Sequence, residues 1–437
     1  MEKLYLGIGR RVITPEIGAR LFGYQDNVYS KSVNDDLHTT AYVFRQKDAL
    51  SAIISVSVCL IDTPMTKNIR EKIEAEANIP YSNILIATTH THSGPYTASG
   101  PAVGTLNESE AEYCSTVLVP GIVGAVTDAL SNMDEVTVGC SVGESYAAVN
   151  RREVTEDGRI KLGQNPSGPF DPKMTLISFK KANGEIKGTL IHYGMHGTAS
   201  GMNTEITEDW CGVMTRRIEE ISGAPCAFLN GPEGDVGPRL SNGRTAGNIA
   251  LMREIGEVAA NDAVKIYEKI SAFEDVKIEF LRTSVKIPVK PRLPLSFCKD
   301  ELEKYMQERL VSIGVYWKRH YQRVLDSYKN GYEEKEYFED EQTVVRLGDV
   351  IIVATPYELF SEIGLKIQKG YGGFKVLTLS NTNGSSGYFP AEKDVPLFGY
   401  ETHSFRTRLI QPFVDNADYY FIKETKENID KLISKEN

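Results

Sequence analysis

The chain has 437 residues, 41% of them hydrophobic and 25% charged, with a formal net charge of −10. That composition suits a globular protein with a sizeable core, and the acidic balance argues against a nucleic-acid surface, which needs clustered Lys and Arg. No stretch approaches the ~18 uncharged apolar residues of a membrane span.

The N-terminal segment Met1-Glu2-Lys3-Leu4-Tyr5-Leu6-Gly7 lacks the apolar run and small-residue cleavage site of a secretion signal, so a cytoplasmic location is expected. Residues 52 to 61 read as a buried strand. Residues 66 to 77 read as a helix with Ile69 and Ile73 inward and Thr66 as N-cap. Ile84 to Ala87 form a second strand, so the three make a βαβ unit with parallel strands. That second strand runs into Thr88-Thr89-His90-Thr91-His92-Ser93-Gly94-Pro95, placing two histidines at a strand's carboxyl end, where open α/β sheets bind ligands. Leu176 to Phe179 and Ile186 to Ile191 flank Asn183-Gly184, the signal of a hairpin with a type I′ turn. The second arm leads into His192-Tyr193-Gly194-Met195-His196.

Trp210 to Ile221 reads as a helix with Trp210, Val213, Met214, Ile218 and Ile221 on one face. Cys226 to Leu229 is a short strand. It ends in the loop Asn230-Gly231-Pro232-Glu233-Gly234-Asp235-Val236-Gly237-Pro238, and a helix follows with Ile255, Val258, Ala259 and Ile266 as core. Residues 290 to 340 are charged and Tyr-rich. One or two exposed helices are expected there, as an insertion, a lid or an oligomer contact, with a merely solvated face the plainer reading. Val350 to Ala354 and Val376 to Leu379 read as strands, with a helix to about Gln368 between them and Tyr388 and Tyr400 in the loop beyond. The cysteines Cys59, Cys114, Cys140, Cys211, Cys226 and Cys298 are scattered without a CxxC and are expected to be reduced core residues. No linker breaks the chain, so residues 1–437 are expected to form one mixed α/β domain with β-sheets flanked by helices.

Chemistry concentrates in the histidines. Four of the seven fall in two clusters, His90/His92 and His192/His196. Imidazole is a common metal ligand, and zinc takes three or four donors from separate segments. Residues i and i+2 of a strand share a side, so His90 and His92 face the same way. His192 and His196 have helical spacing, but Gly194 and Gly197 disfavour a helix, so the two need not act together.

The segment Thr89-His90-Thr91-His92-Ser93-Gly94-Pro95 resembles the THTHSGP motif of the neutral/alkaline ceramidase family. Other stretches resemble that family in the same order: Gly7 to Tyr24, Asn150-Arg151, Tyr193 to Thr198, Asn230 to Pro238, Pro356-Tyr357-Glu358 and Gly387-Tyr388. The resemblance implies the fold of the ceramidase catalytic domain and a zinc ion held by His90, His196, Glu358 and Tyr388, with Tyr400 competing for the last place. It implies hydrolysis of an amide bond by metal-activated water. His92 is then expected to contact substrate or move protons, or else to hold His90. Arg151 would polarise the carbonyl or clamp an anion, unless it makes a surface salt bridge, and Arg152 could exchange roles with it. Asp62 would orient a histidine or cap a helix. His192 and Asp235 are expected in supporting or substrate-contacting places.

Two departures bear on substrate. Gly237 stands where the family carries a serine proposed as catalytic, so only the metal-water route is expected. The sequence ends near the Tyr loop, so the family's C-terminal immunoglobulin-like domain is not expected. The expected partner is a small-molecule or lipid-like amide. An ester or sugar-derived substrate, or a non-catalytic binding protein that keeps the fold, are the alternatives.

Overall fold

The structure, a computed structural model, describes residues 2–24, 27–100, 104–307 and 312–434, the side chains of 306–313 excepted. Its N-terminal half lays down strands β1 (Leu4–Val12), β2 (His38–Gln46) and β3 (Ala49–Val56), helix α1 (Thr63–Ala77), strand β4 (Ile84–Thr88) and helix α2 (Val119–Leu130). Strands β5 (Asp134–Glu144), β6 (Ala148–Val154), β7 (Ile160–Asn165), β8 (Lys173–Lys181) and β9 (Ile186–Tyr193) follow, then α3 (Trp210–Ser222), β10 (Cys226–Asn230), β11 (Val236–Pro238) and α4 (Ile249–Tyr267). Eight of these strands form one mixed sheet in the order β10-β9-β8-β5-β1-β2-β3-β4, with parallel pairs only at its two ends, β10 on β9 and β3 on β4. Strands β11, β6 and β7 form a small separate sheet.

The C-terminal half adds β12 (Ile278–Pro288), helices α5 (Leu295–Gln307) and α6 (Ser312–Lys329), β13 (Tyr337–Leu347), β14 (Val350–Ala354), β15 (Glu358–Leu359), α7 (Ser361–Gln368), β16 (Lys375–Leu379), β17 (Tyr388–Phe389), α8 (Tyr400–Thr407) and α9 (Ala417–Ile433). Strands β12-β13-β14-β16 make a second sheet, and β15 pairs parallel with β17.

Alternation along the strands assigns the faces. Ala41, Val43, Ala52 and Ile54 pack under α1 and α2, while Tyr42, Phe44 and Ile53 point the other way and meet Val345, Val350, Ile352 and Leu377 of the second sheet. Helices α3 and α4 cover the other half of the first sheet. Helices α7 and α9 cover the outer face of the second. The large sheet curls until its edges meet: Ser55 Oγ on β3 donates to Phe228 O on β10 at 2.7 Å, and Asn230 Nδ2 donates to Thr89 O at 3.4 Å.

Several expectations shift. The strand expected over 52–61 ends at Val56; the apolar residues after it, Val58 to Ile61, are buried in a loop instead. Helix α1 is capped by Asp62, whose side chain accepts Met65 N–H at 2.8 Å, and not by Thr66. The 183–184 hairpin forms, but Gly184 alone has positive φ (92°). Gly184 N–H donates to Lys181 O at 2.9 Å and Lys181 N–H to Glu185 O at 2.8 Å, a type I turn closed by a glycine bulge rather than a type I′ turn. Val258 and Ile221 are 43% and 46% exposed, at the margins of their helices' apolar stripes. The run Glu108–Leu130 is long and apolar enough to cross a membrane by composition, acids near both ends having broken the stretch in the sequence. Half of it is buried here, with Ile122, Val126 and Ala129 in the core under α1. All six cysteines are unpaired, and Cys140 alone is only half-buried.

Residues 290 to 340 hold the two expected helices, with 308–311 outside the described residues. Helix α6 is not a solvated face: Trp317 Nε1 donates to His403 Nδ1 at 2.9 Å, and His320 is fully buried.

Candidate metal centre

Five strands deliver the site from their carboxyl ends. His90 follows β4, His196 follows β9, Glu233 follows β10, Glu358 follows β14 and Asn381 follows β16. Strand ends present unpaired loop backbone and freely aimed side chains, which is why α/β proteins put chemistry there. His90 takes φ 64°, a left-handed conformation that few non-glycine residues adopt. The two histidine motifs are laced together: Thr91 bridges Gly197, and His92 N–H donates to Gly197 O at 2.9 Å. A Cβ on Gly197 would lie 2.4 Å from His90 O, so only glycine permits that approach.

The three donors converge in a buried group. His90 Nε2 lies 3.1 Å from His196 Nε2, and Glu358 Oε2 lies 3.5 Å from the first and 3.3 Å from the second. The opposite ring atoms are committed elsewhere. His90 Nδ1 donates to Cys59 O at 2.9 Å, and His196 Nδ1 donates to Glu233 O at 2.7 Å. With those protons placed, both Nε2 atoms are lone-pair acceptors facing each other and a carboxylate oxygen that has no hydrogen-bond donor. Three acceptors cannot satisfy one another, so the arrangement fits a cation. Burial, with the charge of Arg151, pushes His196 down to about 3, which keeps the ring neutral as a ligand must be. Burial alone would raise Glu358, but a charged His90, and then His196, hold it well below the usual carboxylate range, and Cys59 and Glu358 in turn raise His90 well above the usual imidazole value against the effect of burial, so the carboxylate calls for a positive charge, from a proton on His90 or from a cation.

Tyr388 stands directly opposite Glu358 in the β15–β17 pair. Its ring stacks on His196, with centroids 6.4 Å apart. Burial and Glu358 hold its phenol well above the ordinary value. Tyr400 lines the same cavity, but its hydroxyl meets that of Tyr316 on α6 at 3.2 Å, and its ring packs edge-to-face with Tyr388. His92 shares the cluster, with Nε2 3.4 Å from His90 Nε2 and Nδ1 unbonded. Burial, then His90 and His196, drive its pKa well below the usual value, so it is neutral.

Arg151 is buried, not on the surface. Its Nη2 donates to Tyr388 Oη at 3.0 Å and its Nε to Glu401 Oε1 at 3.2 Å. Arg152 Nη1 donates to the other oxygen of Glu401 at 2.6 Å and makes no bond to Tyr388, so the two arginines do not exchange roles. The structure separates His192 and Asp235 from the three donors, whereas Asp62 lines the same cavity as His90, His92 and Glu358 without facing a histidine. Asp62 spends one oxygen on Met65 N–H and the other on Ser99 N–H, each at 2.8 Å, so it orients no histidine. His192 donates Nε2–H to Thr378 O at 3.0 Å, tying β9 to β16. Asp235 accepts Ser361 N–H at 2.7 Å, and Ser361 Oγ and Asn150 Nδ2 at 3.0 Å each, joining β6 to the start of α7.

Sequence reasoning missed Glu233, Asn381, Glu401 and Tyr316. Asn381 Nδ2 donates to Glu233 Oε1 at 2.8 Å and lies 3.2 Å from His90 Nδ1. Burial and Glu358 raise the Glu233 carboxyl to about 8, although His90 opposes the shift. The carboxylate embedded in Pro232-Glu233-Gly234 was the one available signal.

The sequence model of the family described as "Neutral/alkaline non-lysosomal ceramidase, N-terminal" matches residues 4–257. That span holds His90, His92, Arg151 and His196, and Glu358 and Tyr388 lie beyond it. The neutral ceramidase of Pseudomonas aeruginosa is 24% identical over 306 residues, covering 65% of this chain and 45% of its own length. The neutral ceramidase of Mycobacterium tuberculosis is 26% identical over 260 residues, covering 54% and 40%. The matches thus span less than half of either relative. The crystal structure of the Pseudomonas aeruginosa enzyme superposes with a TM-score of 0.73 over 98% of this chain and 74% of that one, at 17% identity, which shows a shared fold.

Proposed function

The chain belongs to the neutral/alkaline non-lysosomal ceramidase family, and on that premise we propose that it is a zinc-dependent hydrolase of an amide bond in an N-acyl compound. The observation that carries this reading is the buried trio His90 Nε2, His196 Nε2 and Glu358 Oε2, close enough together to bind one ion. Tyr388, paired with Glu358, would be the fourth donor. Two imidazoles, a carboxylate and a phenol oxygen are acceptable to zinc, which when bound would polarise a carbonyl and acidify a water.

The chain's own residues supply the rest. The Cys59 and Glu233 carbonyls fix both ligand histidines in the tautomer that leaves Nε2 free. Arg151, held by Glu401, donates to Tyr388 and sets its positive charge beside that donor, where it would favour negative charge developing at the centre. His92, neutral and unbonded at Nδ1, is placed to take the proton of the attacking water and hand it on to the leaving nitrogen, ending neutral again. The relatives' names speak of ceramide, and a ceramide-like lipid amide is one member of this N-acyl class.

The test is His196→Ala. Zinc affinity is expected to fall more than ~100-fold, beyond the loss typical of residues that merely support a ligand, and hydrolysis of N-acyl substrates to disappear. Full zinc retention removes His196 from the donor set. Hydrolysis by a zinc-stripped wild type contradicts the metal route.

A further inference from the structure

We propose that the substrate amide carries a carboxylate away from its scissile bond and that Arg408 receives it; this deepens the amidase reading above and rests on it. The cavity over His90, His92 and Glu358 is also lined by Arg323 and Arg408. Among the described residues its acids are Asp62 and Glu358. Asp62 is spent on two backbone N–H donors, and Glu358 belongs to the metal centre. The two guanidinium groups thus give a positive wall to a cavity in a chain of net charge −10.

Arg408 directly follows α8, and its guanidinium is set among three rings. Its Cζ lies 4.6 Å from the centre of Tyr357, 5.3 Å from that of Phe413 and 5.5 Å from that of Phe338. Such stacking holds a guanidinium in place without using up its N–H donors. Asp340 Oδ2 stands 3.6 Å from Nη2, too long for a hydrogen bond, and Asp340 also accepts the Tyr357 hydroxyl. Nη2 donates to Tyr357 Oη at 3.4 Å, while Nη1, shielded from bulk water, meets no acceptor. The two-pronged carboxylate pair that a guanidinium is shaped for is therefore not formed within the chain, and a ligand carboxylate seated on the fork would supply it.

Arg323 keeps that place electropositive. Its Nη1 donates to Arg408 O at 3.0 Å and its Nη2 to Thr407 O. Those carbonyls close α8, where a helix's partial negative charge would repel an anion. Both acceptors are neutral backbone, so the full charge of Arg323 remains beside Arg408. Ser385, Ser386 and Ser404 add hydroxyl groups to the same lining. Phe22, Leu60 and Ala98, members of one apolar cluster, also line the cavity and suit the hydrocarbon between amide and carboxylate.

The experiment measures kcat/KM of the zinc-loaded full chain on matched pairs. Succinyl, glutaryl and adipoyl anilides are set against butanoyl, pentanoyl and hexanoyl anilides. N-acetyl derivatives of glycine, β-alanine and 4-aminobutanoate are set against those of ethylamine, propylamine and butylamine. In at least one pair the carboxylated member is expected to be better by about tenfold or more, the scale of a charge-assisted pair. The arm in which this appears tells whether the acyl or the amine half carries the anion. Arg408→Met should bring that ratio to about one. A loss of stability alone lowers both members of a pair together, so the ratio is the readout. Arg408→Lys keeps the charge without the fork and should retain only part of the preference. Calorimetry gives a reading independent of turnover: the monohydroxamates of succinic, glutaric or adipic acid should bind more tightly than the butanoyl, pentanoyl or hexanoyl hydroxamates, and lose that advantage in Arg408→Met. Neutral members equal or better in every pair of both kinds overturn the carboxylate site and leave the amidase reading standing. A preference that survives Arg408→Met overturns Arg408 as its seat. No cleavage of any member, with the hydroxamate preference intact, overturns the amidase reading alone; no cleavage and no preference overturn both.

Discussion

At Gly237 the chain departs from its family, and the surrounding packing makes the departure specific. A Cβ there would stand 2.7 Å from Thr245 Cβ and 2.9 Å from its Cγ2. Gly237→Ser is therefore expected to cost about 1–3 kcal/mol by overpacking and to leave hydrolysis no faster, measured by urea unfolding alongside the assay. A serine-dependent gain would contradict the metal route. Asp235 gives a pH signature. Burial raises its carboxyl to about 7, with the donors from Ser361 offsetting part of the effect. The folded state then keeps a proton that the unfolded chain releases near the usual ~3.9. Its contribution is least unfavourable below that value, and stability falls as pH rises toward about 7, by at most ~1.4 kcal/mol per pH unit. Asp235→Asn should flatten the melting-temperature profile over that window. An unchanged slope would mean that Asp235 is ionised throughout.

Elements explain what the sequence could and could not show. The βαβ unit and the 183–184 hairpin were legible because contiguous apolar runs and turn residues are local signals. The carboxyl end of Val56 was not, because the loop after it is as buried and apolar as the strand itself. Among site residues, His90 and His196 stood out as rare side chains in short clusters, and Glu358 came only through the motif resemblance. Glu401 and Tyr316 lie on helices where an acid and a tyrosine look ordinary, and only the tertiary contact with Arg151 or Tyr400 marks them. Helix α2 presses on β1 at glycines: a Cβ at Gly9 would lie 2.0 Å from Ala125 O. The obstacle is backbone, so Gly9→Ala must displace the helix and is expected to cost at least about 1–3 kcal/mol in denaturant unfolding. A neutral result would show that α2 packs further from β1 than described.

Across the whole molecule, the donors come from segments as far apart as His90 and Glu358, brought together because the first sheet curls until its edge strands touch and the second sheet ends on the same side. Among the described residues the other group that could hold a cation, Cys59, His90 and His92, shares His90 with this centre and also draws on two segments. The most direct measurement is the metal content of the purified chain by plasma mass spectrometry, beside His90→Ala and Glu358→Ala. About one zinc per chain is expected in the wild type, set by the one group of two imidazoles and a carboxylate among the described residues, and its loss in both variants. A wild type that takes up no zinc after reconstitution, or variants that keep it, would contradict the centre proposed here.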